Sequence, residues 1–101
     1  MPAKKKRENS DLLYESILSL QSVDECKRFL QDLCTMSELR AMEQRIEVAV
    51  MLSDGLIYSD ILERTGASSA TISRVNRALQ YGAGGYELLL PRIREKAEEK
   101  Q

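Results

Sequence analysis

The chain has 101 residues, 43% hydrophobic and 31% charged, with a formal net charge of −1 and no histidine or tryptophan. That length sets one domain as the prior, and the apolar content excludes disorder throughout. The near-neutral balance excludes sequence-independent coating of nucleic acid by bulk charge, and no run approaches the roughly 20 apolar residues of a membrane span.

The charge is unevenly spread. Lys4, Lys5, Lys6 and Arg7 open the chain, whereas residues 8–58 carry ten acids against four bases. Residues 1–9 show no periodicity and read as a flexible basic arm, either a solvated tail or a segment that grips phosphate. After it comes Glu8-Asn9-Ser10-Asp11, not the apolar run of a signal peptide, so the expected location is the cytoplasm, with no membrane partner. Residues 10–101 are expected to form a single helical domain.

Ser10 is placed to cap a first helix over about 11–21, carrying Leu12, Leu13, Tyr14, Ile17, Leu18 and Leu20. That set covers more than one stripe, and a helix apolar on two sides buries both. Ser22-Val23-Asp24-Glu25 has the spacing of a capping box. The helix behind it aligns Val23, Cys26, Phe29, Leu30 and Leu33. Cys26 and Cys34, the only cysteines, would lie about 12 Å apart along a helix, too far for a disulfide. With no histidine beside them, no zinc site is expected.

Thr35-Met36-Ser37-Glu38 repeats the capping pattern and opens a helix over about 36–54, ended by Gly55. Within it Val48-Ala49-Val50-Met51-Leu52 is apolar all round. So short a monomer has little interior to offer such a stretch, which points to an interwoven dimer. Two short helices follow, 58–66 and 68–80, then Gly82-Ala83-Gly84-Gly85 breaks the chain. A last helix spans about 86–99. Pro91 must kink it or mark its true first turn. Nothing alternates as a strand would, so the class is all-α.

Residues 58–80 carry the functional signal. Two helices crossing through a tight turn need a residue at positive φ, which Gly66 supplies, and inward-facing apolar residues on each side. Ile61 and Leu62 are placed on the inner face of the first helix, and Ile72 and Val75 on that of the second. The outward face of the second reads Ser68, Ser69, Ala70, Thr71, Ser73, Arg74 and Arg77. No acid occurs from Gly66 to Gln80, in a chain with 16. Small hydroxyls let a helix approach base edges closely, an alanine or threonine methyl can meet a thymine methyl, and arginine reads guanine or grips phosphate. These seven residues are the candidate DNA contacts of a helix-turn-helix. The competing reading is a protein–protein adaptor using the same face. No nucleophile stands beside a base and no metal constellation is visible, so an enzyme is not expected.

The run from Leu52 to Arg74, with its Gly-Ala-x-x-Ala-Thr-Ile-Ser-Arg core at 66–74, resembles the DNA-binding half of the bacterial tryptophan repressor, and more closely the YerC/YecD-like branch of that superfamily. The Thr35 capping box, Ala41-Met42 and Arg45 also fit, and the resemblance covers about residues 30–90. It implies a six-helix, intertwined homodimer, a bacterial transcriptional regulator acting as a repressor on a pseudo-palindromic operator in double-stranded DNA. It also implies an effector pocket at Arg45 and Arg74, which match the two arginines that hold the indole amino acid in tryptophan-binding members. Those members have glycine after the second arginine. Here Val75 fills the slot, so no cofactor, and no tryptophan co-repressor, is expected.

Overall fold

The computed structural model describes residues 10–100, so the Lys4–Arg7 arm lies outside it. Among the described residues there are six helices and no strand: α1 (Leu12–Leu18), α2 (Val23–Leu33), α3 (Met36–Ser53), α4 (Tyr58–Thr65), α5 (Ser69–Tyr81) and α6 (Gly85–Glu99). The chain divides into two compact units after Leu39. The first holds α1, α2 and the opening turn of α3; the second holds the rest.

Local polar bonds set the helix starts in the first unit. The Ser10 hydroxyl accepts from the Leu12 amide at 3.2 Å, but Asp11 takes the cap position, one residue later than expected. Ser22 caps α2 by accepting from the Glu25 amide at 3.0 Å, while the Glu25 carboxylate accepts from Gln21, one residue before the cap. The Thr35–Glu38 box closes in both directions, at 3.1 and 2.8 Å. These bonds satisfy amides that a helix N-terminus leaves without partners. Neither α1 nor α2 contains a buried residue. Leu18 is 85% exposed and Val23 72%. Both cysteines are free thiols.

The second unit contains the core. Val48 and Ala49 of α3, Ile61 of α4, Ala67 of the turn, and Ile72 and Val75 of α5 bury together. Met51, Leu52, Leu56, Leu79 and Tyr86 pack around them. The apolar stretch at 48–52 is thus used on more than one side. Leu62, expected on the inner face beside Ile61, is exposed instead. Successive helical residues point about 100° apart, so a helix meeting the core along one edge buries only one of such a pair. Ala67 takes the second place.

Two glycines shape the ends. After α3 the Gly55 amide donates to Leu52 and the Leu56 amide to Met51, at 3.0 and 3.1 Å, a Schellman closure with Gly55 at φ 88°. Gly66 closes α4 at φ 73°. A Cβ there would meet nothing within 4 Å, so its requirement is conformational. Pro91 lies inside α6, not in its first turn. Past it, Arg94 donates to Ser53 and, at 2.5 Å, to Asp54, tying α6 to the end of α3. These groups are half-exposed, so solvent screening leaves the ion pair about 1 kcal/mol or less.

The Ile61–Leu62 contrast is directly testable. Ile61→Ala should lower the urea-unfolding free energy by about 2–5 kcal/mol, and Leu62→Ala by less than about 1 kcal/mol. Equal losses would contradict this packing.

Candidate nucleic-acid interface

The turn between α4 and α5 is held mainly by its own atoms. The Thr65 hydroxyl donates to the Ile61 carbonyl at 2.7 Å and accepts from the Ala67 amide at 3.0 Å. The Gly66 amide donates to Leu62 at 2.9 Å. Ser68 then starts α5: its hydroxyl oxygen accepts from the Thr71 amide at 3.1 Å and its hydrogen points to the Thr71 hydroxyl at 3.0 Å. The outward Ser68 hydroxyl is therefore oriented by Thr71.

Of the seven sequence-derived contact residues, Ser68, Ser69, Ala70, Ser73, Arg74 and Arg77 are exposed, and Thr71 is half-buried. Ile72 and Val75 point the other way, into the core. The split follows from helical periodicity: residues 69, 73 and 77 recur at four-residue intervals on one face. The face is electropositive for two reasons. Neither Arg74 nor Arg77 forms an ion pair among the described residues. The positive end of the α5 dipole lies at Ser68–Ser69. Gln80 and Tyr81 continue the exposed, acid-free stretch beyond the residues the sequence singled out.

Arg45 and Arg74, matched separately from sequence, line one open groove of about 370 Å³. Ile46 of α3, Val75 and Ala78 of α5 and Tyr86 of α6 give it apolar walls. Val75 forms its edge while remaining only 2% exposed. Arg45 pairs with no carboxylate among the described residues. The groove is therefore lined by two arginines without carboxylate partners among the described residues and by apolar side chains, Val75 among them.

The sequence profile of the Trp repressor protein family matches residues 8–94. The chain belongs to the Trp repressor family. It is 52% identical over 89 residues to the uncharacterised protein YerC of Bacillus subtilis (strain 168), covering 88% of this chain and 86% of that one. Among solved structures, a TrpR-like protein from Eubacterium eligens ATCC 27750 superposes with TM-score 0.79 at 49% identity, covering 82% of this chain and 86% of its own. A Staphylococcus aureus protein assigned as a Trp repressor superposes with TM-score 0.80 at 44% identity, covering 83% and 84%. The Trp repressor family is one of DNA-binding regulators, and the matched span takes in the whole of α4 and α5.

Ser68 both caps α5 and faces outward, and the two roles separate by substitution. Ser68→Ala should cost about 1 kcal/mol in urea unfolding through the lost cap, whereas Ser68→Asp, which caps as well, should leave stability near wild type.

Proposed function

We propose that the protein is a sequence-specific DNA-binding transcriptional regulator, a repressor, that works as a homodimer and lays α5 in the major groove. The observation that carries this reading is the exposed, acid-free ridge from Ser68 to Arg77, set outward by the burial of Ile72 and Val75 on the opposite face. Ser69, Ala70 and Ser73 are small enough for close approach to base edges. Arg74 and Arg77 supply charge for phosphate or guanine.

A second copy of the chain is the natural cover for the apolar surface left open. Leu12, Tyr14 and Leu18 of α1 and Leu88 of α6 are all exposed, and neither α1 nor α2 contains a fully buried residue. Surface of this kind accompanies obligate association. Two recognition helices related by a two-fold axis require half-sites about 34 Å apart, which makes the operator pseudo-palindromic. Sedimentation should give twice the chain mass; a monomer at micromolar concentration would contradict the dimer.

The groove at Arg45 and Arg74 is a candidate effector pocket for a small anion. Val75, where tryptophan-binding members have glycine, disfavours tryptophan as that effector. Selection of bound duplexes from a random pool tests both points. The expected result is a two-fold-symmetric consensus, bound equally well with and without free tryptophan. Salt-independent retention, or none, would favour the adaptor reading. On the selected duplex, Arg77→Ala should lose about 1–3 kcal/mol of binding free energy, and the stable Ser68→Asp variant should bind poorly because it sets a carboxylate against phosphate. Wild-type affinity in both variants would refute the assigned face.

A further inference from the structure

A helix-turn-helix pair can be well made and still be poorly aimed. In this chain the pair is mounted on α3 chiefly by apolar contact, through Val48 and Ala49 against Ile61, Ile72 and Val75. Such contact is strong but non-directional, and it tolerates small rotations and slides. Hydrogen bonds are directional and lose strength steeply with misalignment. Among the described residues one long-range side-chain hydrogen bond joins α3 to the helix-turn-helix: Gln44 Nε2 donates to the Thr65 carbonyl at 3.2 Å, at a half-buried site 21 residues away in sequence. The other long-range polar tie, from Arg94, reaches the far end of α3.

The place of this bond matters. Thr65 ends α4, and the last carbonyls of a helix have no partner within it. Thr65 is also the pivot of the turn: its hydroxyl bonds Ile61 and Ala67, and Gly66 follows in the left-handed region. The Gly66 amide holds one edge of the Thr65–Gly66 peptide on Leu62, and the Gln44 bond to the Thr65 carbonyl holds the other against α3, so the plane from which α5 departs is tied to the scaffold. The neighbouring residue, Arg45, lies in the groove bordered by Arg74 and Val75 of α5. Gln44 and Arg45 therefore meet the two-helix unit at separate points, one at its turn and one beside its second helix.

We infer that Gln44 is a positioning residue, whose amide sets the angle at which the recognition helix is presented. This rests on the DNA-binding reading above. Its removal leaves the internal bonds of the turn and the buried apolar cluster in place, so the fold persists while the aim of α5 loosens. Specific binding needs several side chains in register with base edges at once, whereas non-specific binding needs only charge near phosphate. The loss therefore falls on specificity.

The test compares wild type with three variants on the duplex selected above and on a scrambled duplex, each protein checked for native helicity by circular dichroism. Gln44→Met keeps the length and packing but has no donor. Gln44→Glu sets a carboxylate against the carbonyl. Gln44→Lys restores a donor, with charge favourable at a helix C-terminus. Gln44→Met and Gln44→Glu should lose about five- to tenfold in specific affinity, the scale of one neutral hydrogen bond. Binding to the scrambled duplex should be unchanged in Gln44→Met, and Gln44→Lys should regain specificity. Equal specific affinity in wild type and Gln44→Met overturns the inference, as does a parallel loss on both duplexes. Amide hydrogen exchange at Gly66–Ser69, measured without DNA, separates this inference from the functional reading. Faster exchange in Gln44→Met supports the clamp even if wild type retains no duplex, and unchanged exchange overturns it.

Discussion

The outward face of α5 depends on what Ile72 and Val75 do inward. Both lie in the cluster with Val48, Ala49, Ile61 and Ala67. Burying each branched side chain is worth about 1.5–3 kcal/mol, enough to settle which way a 13-residue helix faces. Once that rotation is set, Ser69, Ser73 and Arg77 have no choice but solvent. The outward orientation of the ridge thus follows from packing on the opposite side.

The turn converts this rotation into a direction. Gly66 in the left-handed region, the Thr65 hydroxyl bridge and the Ser68 cap fix how α5 leaves α4. Further along, the Arg94–Asp54 pair and the packing of Tyr86 hold α6 against the same scaffold. Helix α5 is therefore supported at its start by local hydrogen bonds and along its inner face by apolar contact. Its outer face remains free for a partner.

Much of this was legible in the sequence because it is local. Capping boxes, Gly55 and Gly66 announce helix ends through short-range hydrogen bonding and φ preference. The gap in acidic residues after Gly66 is visible by inspection. The all-α class and the six-helix Trp repressor fold are those seen in the structure and its relatives. What could not be read depends on tertiary rotation. Leu62 and Ile61 are equally apolar neighbours, and only the arrangement of the second unit decides which is buried. Ala67 carried too little signal to be named a core residue. Gln44 looked like one more polar position on a long helix, because its partner is a backbone carbonyl 21 residues away. Pro91 sits within α6 and not in its first turn, one of the two placements its position in the sequence left open.

On the proposed reading, the protein meets duplex DNA along the face from Ser68 to Arg77. Backbone amide shifts, followed by NMR as the selected duplex is titrated into labelled protein, test it most directly. The largest changes should cluster on Ser68–Arg77, with little change at Val48, Ala49 or Ile61 in the core. Changes concentrated on α1 and α2, with α5 undisturbed, would contradict it.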